Sequence, residues 1–303
     1  MRSELDDLYH DAEVATDTYN AASEKAEQQS RHIKKLKRSI GQVEKRLSKL
    51  NSKAGAAARA QYRSGGLPAE FHVVLSNRPQ EALDGAAQVL QAQANTAMVV
   101  QHVQETRSAL HTKVDEATQE LHELRESNAK KRKAQRKIER RIAMAQRLEN
   151  ELEPAENKAL LRQQASDYGR AENDWLASGG GADDKESPAG RKAVSYASRQ
   201  LGKPYIWGAE GPNSFDCSGL TSQAWIAAGH PIPRTSQEQW RQLTRVKLKN
   251  IRPGDLVIYF TDASHVGIYI GNGYIIHAPR PGRTISTAPI SSMKILGVVR
   301  PDA

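Results

Sequence analysis

Residues 213–225 read NSFDCSGLTSQAW, and Cys217 within them is the only cysteine in a chain of 303 residues. A lone cysteine makes no internal disulfide. It is either an inert buried side chain, as free cysteines commonly are, or a working thiolate. The local pattern points to chemistry. An apolar helical run, CSGLTSQAWIAAG, starts at the cysteine itself, and Asp216 stands where a helix cap belongs. A thiol in the first turn of a helix, pointing outward, meets unpaired N–H groups and the positive end of the helix dipole, which lower its pKa. The same N–H groups can hold a developing oxyanion. What is still needed is a base.

Nine histidines are candidates. His10, His32, His102, His111 and His122 lie on long charged helical stretches, His72 lies between them, and His230 follows the cysteine helix as a loop residue. His265 and His277 differ, because both fall on predicted strands in HVGIYIGNGYIIHA (265–278). A two-residue Asn-Gly turn pairs Gly271 with Tyr274 and sends the two imidazoles to opposite sheet faces. A three-residue loop, or a bulge that corrects the register, puts them on one face as diagonal neighbours. If both serve one site, the hairpin has one of the latter two forms. Cys217 is then the nucleophile, His265 the general base, and His277 the group that orients His265. Zinc is the rival use of one Cys and two His. No close-spaced ligand pair exists, so no metal and no cofactor is expected.

Helices are predicted at 190–201 and 217–229, and strands at 255–260, 265–270, 274–278 and 295–300. Helices followed by short antiparallel strands make an α+β domain. The composition of SGGGADDKESPAG (178–190) is that of a flexible linker. The expected organisation is therefore a helical part over 1–177, a linker over 178–189 and the α+β domain over 190–303.

The N-terminal part repeats in heptads. Leu5, Ala12, Tyr19, Ala26, Ile33, Ile40 and Leu47 hold one seam position, and Leu8, Ala15, Ala22, Gln29, Leu36, Val43 and Leu50 the other. A second register runs through Val103, Leu110, Val114, Ala117, Leu121 and Leu124, then Ile138, Ile142, Ala145 and Leu152. Two such helices predict an antiparallel coiled-coil hairpin, and self-association between chains fits the heptads equally. Residues 55–98 change character and read as a small helical head. The basic run KKRKAQRK (130–137) reads as a solvated helix face. Acidic stretches flank it and no aromatics interleave, so nucleic acid is not the expected partner.

Aromatic residues are only 5% of the chain and charged residues 26%, with a mean hydropathy of −0.68. That is too polar for one globular core and suits a long solvated helix pair joined to a smaller domain. Residues 1–188 carry a net charge of +1 and residues 189–303 a net of +8, so the basic excess sits beside the cysteine. It would attract an anionic polymer such as nucleic acid or bacterial cell wall. No apolar run is long enough to span a bilayer, and MRSELDDLYHDAEV has no signal-peptide core.

The blocks GKPYIWGAEGPNSFDCSGL, PRTSQEQ, IRPGDLVIYF, SHVGIYIGNGYIIHA and the closing GVV together resemble the NlpC/p60 family of cell-wall cysteine peptidases, across about residues 190–303. The resemblance implies a papain-like α+β core and hydrolysis of peptidoglycan stem peptides, commonly between D-glutamate and a diamino acid. By the same resemblance Cys217, His265 and His277 match the family's triad. Tyr205 matches the tyrosine near the nucleophile, Asp216 and Ser218 the flanking residues, and Arg234 and Ser236 positions lining the cleft. These five are the expected substrate-binding or oxyanion residues. Tyr205 also reads as core packing, and Thr235 with Glu238 has capping-box spacing. The stretches QYRSG and VVLSNRPQEALDGAAQVLQA resemble coiled-coil domains of wall hydrolases that dock onto the FtsE–FtsX transporter. Peptidoglycan is thus the expected substrate and a transporter of that type a possible partner. Export is implied, with the signal removed.

The expected function is a stem-peptide endopeptidase held inactive by its coil until a membrane partner engages the head. Equal lytic activity of the full chain and residues 189–303 would contradict the control. Two rivals remain: a division-site adaptor acting mainly through the coil, and a papain-like amidase or acyltransferase.

Overall fold

The structure is a computed structural model that describes residues 2–63, 79–151, 166 and 186–303. Two long helices come first, α1 (Arg2–Arg63) and α2 (Pro79–Glu151). Ala, Leu, Glu, Gln, Lys and Arg dominate both, and no proline interrupts α1, while the single proline of α2, Pro79, opens the helix. Side chains pair in descending against ascending order: Gln29 with Glu123, Ser23 with Lys131, and Asp11 with Arg141. The two helices therefore run antiparallel. Residues 55–63 and 79–98 lie within them, whereas residues 64–78 of the expected head and 178–185 of the expected linker lie outside the described residues.

The chain divides into two compact units, one of residues 27–126 and one joining residues 1–26 to 127–303. In the first, Gln29, Ile33 and Leu36 of α1 are buried in the predicted seam. The α2 seam differs from expectation. Val103, Leu110, Ala117 and Leu124 hold one position as read, but Val114 and Leu121 are exposed and Thr106 is buried instead. Polar pairing explains the rotation. His32 lies 3.4 Å from both Glu116 and Glu120, and Gln29 donates to Glu123. These contacts turn the acidic side of α2 toward α1.

In the second unit, residues 186–303 form α3 (Pro188–Ser198), α4 (Cys217–Ala227) and α5 (Ser236–Gln242), followed by six strands. They are β1 (Thr244–Val246), β2 (Leu256–Tyr259), β3 (His265–Gly271), β4 (Tyr274–His277), β5 (Ser286–Pro289) and β6 (Ile295–Arg300). The sheet is antiparallel in the order β1-β6-β2-β3-β4-β5. Both faces are covered, which is why DLVIYF reads as a continuous apolar run. Leu256 and Ile258 join α3 and α4 in one core, while Val257 and Tyr259 point to a second core with Tyr269, Ile275 and Val298. Trp225 of α4 is buried and donates its indole N–H to the Gly254 carbonyl at 3.2 Å.

The hairpin takes the bulge form. Gly271 pairs with Tyr274 across a two-residue Asn272-Gly273 turn, both turn residues at positive φ. The register then shifts between Tyr269 and Gly271, so that Tyr269 faces Ile275 and Ile268 faces Ile276. Ile270 is the extra residue, and it brings His265 and His277 onto one face.

Helix α4 approaches the preceding loop so closely that only glycine fits at position 219. A Cβ on Gly219 would stand 2.2 Å from the Ala209 carbonyl oxygen. Gly219→Ala is expected to lower stability by about 2–3 kcal/mol, read as a lower thermal unfolding midpoint of the domain.

Candidate functional site

Asp216 caps α4 with extended backbone, and its carboxylate accepts from the Gly219 N–H at 2.6 Å. It is fully buried yet well supplied with donors. Arg234 grips it with two nitrogens, Nη1 to Oδ1 at 3.0 Å and Nη2 to Oδ2 at 2.7 Å, and the Gly208 N–H adds a bond at 2.9 Å. Arg234 also reaches Ser218 Oγ at 3.0 Å and Glu210 at 2.7 Å. Arg234, expected to line the cleft, and Ser218, expected to flank Cys217, thus clamp the cap of α4. Gln239 of α5 donates to the Ser218 and Pro233 carbonyls and accepts from Thr221, tying α5 to α4. Thr235 caps α5 through the Glu238 N–H, as its spacing predicted.

Cys217 is the first residue of α4. The Val266 backbone is the neighbour that lowers the thiol pKa, which places Cys217 beside the start of β3, where His265 stands. His265 Nε2 lies 2.9 Å from His277 Nδ1, with the rings at 89°. Burial, aided by neighbouring His265, holds His277 well below the ordinary imidazole pKa. A neutral His277 can accept the His265 Nε2–H, leaving His265 Nδ1 as the basic nitrogen. Tyr205 is buried, and burial together with nearby Cys217, Asp216, Glu13 and Asp17 raises its phenol pKa. Among the described residues no group of three or more His, Cys, Asp and Glu is arranged to hold a metal ion.

The heptads predicted the helix α1 but not that it reaches this site. His10, Glu13, Asp17 and Asn20 recur at spacings of three and four, so they form one stripe of the helix. Glu13 Oε1 lies 3.1 Å from His265 Nδ1, without the alignment of a hydrogen bond. Asp17 accepts from Ser236 Oγ at 2.8 Å, and Asn20 donates to Asp216 Oδ2 at 3.0 Å. His10 meets Asp262 at 3.1 Å and Ser264 at 3.3 Å. Tyr19 packs edge-on against Trp207, and Arg280 covers the Tyr9 ring at 4.0 Å while pairing with Glu149. Glu13, Asp17 and Asn20 are each less than 10% exposed, far from the usual state of such residues on a coil.

The consequence for Cys217 reverses the expectation from its helix position. Cys217 does not point outward: it is buried, and burial pushes its thiol well above the ordinary value, with Asp216, Asp17 and Glu13 adding negative charge. Burial likewise raises the Asp17 carboxyl well above its ordinary range.

The site thus sets a thiol at a helix N-terminus beside a His–His pair on an antiparallel sheet. Residues 202–296 match the model of the NlpC/P60 family, and the C-terminal part of this chain is an NlpC/P60 domain. The chain is 45% identical over 111 residues to a probable endopeptidase of Corynebacterium glutamicum, covering 37% of this chain and 53% of that protein. It is 46% identical over 91 residues to the probable endopeptidase p60 of Listeria monocytogenes, covering 29% and 19%. The solved NlpC/p60 domain of the peptidoglycan hydrolase SagA aligns at 30% identity over 37% of this chain and 97% of that one, with a TM-score of 0.35. The chain spans about half, or less, of the length of these curated relatives.

Proposed function

We propose that this protein is a peptidoglycan hydrolase, a cysteine endopeptidase of stem peptides that α1 keeps closed. The observation that carries the chemistry is the placement of Cys217 at the start of α4 beside the His265–His277 pair. In the open enzyme, His265 Nδ1 takes the Cys217 proton and the thiolate attacks the stem-peptide carbonyl. The α4 backbone N–H groups stabilise the tetrahedral oxyanion. The proton returns to the leaving amine as the C–N bond breaks, and water then hydrolyses the acyl-enzyme with His265 again as base. The bond between D-glutamate and the diamino acid is the proposed target. Masses of the fragments released from purified peptidoglycan test this, since cleavage at another bond, or amidase products, would overturn it. A wall substrate places the working protein outside the membrane.

Regulation is supported by what Glu13, Asp17 and Asn20 do. Glu13 stands at the nitrogen that must accept the thiol proton, and Asp17 and Asn20 occupy Ser236 and Asp216. Glu13 and Asp17 also bear electrostatically on the buried Cys217 thiol. In this reading the closed form is opened by a partner of the helical hairpin, and a membrane transporter of the FtsE–FtsX type is the candidate that the hairpin's sequence resemblance names.

A pH dependence follows. Asp17 and Cys217 both have raised pKa values in the closed form, so that form binds protons more tightly than the open one. Closure is favoured below the ordinary values of 3.8 and 9.0 and is lost as pH rises through the raised ones. Alkylation of Cys217 by iodoacetamide in the intact chain should stay slow through neutral pH and climb only in the alkaline range. A rate plateau at neutral pH, the mark of a thiolate–imidazolium pair, would contradict closure.

A further inference from the structure

Beside the stripe that enters the catalytic site, α1 offers a second surface. Val14, Ala15 and Thr18 form one wall of a groove of about 620 Å³ whose other wall is the basic stretch of α2. From Lys130 to Arg141, α2 carries eight cations and one acid, Glu139. Lys137 and Arg141 share Asp11, at 3.8 and 2.8 Å. Lys130, Lys133 and Arg140 line the groove with no ion pair or hydrogen bond among the described residues. The groove is not only charged: Val14, Ala15, Ala134 and Met144 give it an apolar lining, and Met144 is half exposed.

That combination selects an occupant. A phosphate polymer has no use for an apolar lining, and no aromatic ring lines the groove for a base to stack on. A flat membrane does not enter a concavity between two helices. A third helix does, laying an apolar face along the lining and an acidic flank against the lysines, with methionine adapting to it. The stretch from Lys130 to Met144 rises about 21 Å at 1.5 Å per residue, the length of a helix of about 15 residues.

The groove also reaches the catalytic domain. Val14, Thr18 and Lys130 line a second opening bounded by Asp17 and by Thr235, Glu238 and Arg241 at α5. An occupant therefore abuts the Asp17–Ser236 bond. We propose that this groove is the docking site for an acidic amphipathic helix of a partner protein, and that docking draws α1 out of the catalytic site. The second half rests on the closed-enzyme reading above.

The test uses the full chain and a fluorescein-labelled synthetic helix of about 15 residues with one leucine face and glutamate flanks. The expected result is saturable binding, weakened at least tenfold by Lys130→Glu, Lys133→Glu and Arg140→Glu together, and weakened as much when glutamine replaces glutamate in the peptide. Saturating peptide should also speed Cys217 alkylation at least tenfold in the parent chain only. Binding indifferent to the triple reversal overturns the docking site. So does capture of phosphatidylglycerol vesicles through the same three residues without peptide binding. Reversal-sensitive binding that leaves alkylation unchanged overturns the coupling alone. Failure of closure itself shows separately, as rapid alkylation of the parent chain before any peptide is added.

Discussion

Cys217→Ala is expected to abolish release of stem-peptide fragments, by at least about 10³-fold, from a form of the enzyme in which the site is open. Nothing else nearby can replace the thiol, because Cys217 is the only cysteine and the neighbouring hydroxyls are committed. Ser218 Oγ accepts from Arg234, and Ser236 Oγ donates to Asp17. The substitution removes one sulfur and leaves the Asp216 cap and its Arg234 clamp intact, so thermal stability should hardly move. His265→Ala should cost as much as Cys217→Ala, and the double variant little more, since groups acting as one unit are not additive. His277→Ala should fall short of both, at roughly 10–10²-fold, because it acts by orienting His265.

Asn20→Asp should have the opposite sign. Asn20 now donates to Asp216 Oδ2 at 3.0 Å in a buried setting. Aspartate would replace that donor with a second carboxylate, and two buried like charges oppose ionisation of both. The cost is about 3 kcal/mol, or about two decades in the open population. Cys217 in the intact variant should react with iodoacetamide about 100-fold faster near neutral pH. Asp216 keeps Gly208, Gly219 and Arg234 as partners, so α4 remains capped and the domain stays folded. An unchanged alkylation rate, with the variant folded, would remove Asn20 from any role in closure.

The C-terminal domain was largely legible because its signals are local. A capped helix beginning at Cys217, and two histidines around an Asn-Gly turn, carry their geometry within a few residues. The bulge at Ile270 was foreseeable only as one of two alternatives, since no residue type marks it. The short strands β1 (TRV) and β5 (STAP) escaped notice, having neither length nor alternation. Arg234 was legible as a residue near the site but not as the clamp of Asp216, which depends on a contact across 18 residues. The stripe of His10, Glu13, Asp17 and Asn20 was illegible for a physical reason. A polar face buried against another domain has the same composition as a face turned to water, and only packing distinguishes them. The α2 seam misled in the converse way, because Val114 and Leu121 look like core residues while the contacts of His32 with Glu116 and Glu120 set the rotation.

The most direct measurement compares digestion of purified peptidoglycan by the intact chain, by residues 186–303 and by residues 186–303 carrying Cys217→Ala, with products resolved by mass. The account expects stem-peptide fragments from residues 186–303, far fewer from the intact chain at the same concentration, and none from the Cys217→Ala form. Equal rates from the intact chain and residues 186–303 would contradict closure by α1, and fragments from Cys217→Ala would contradict the thiol mechanism.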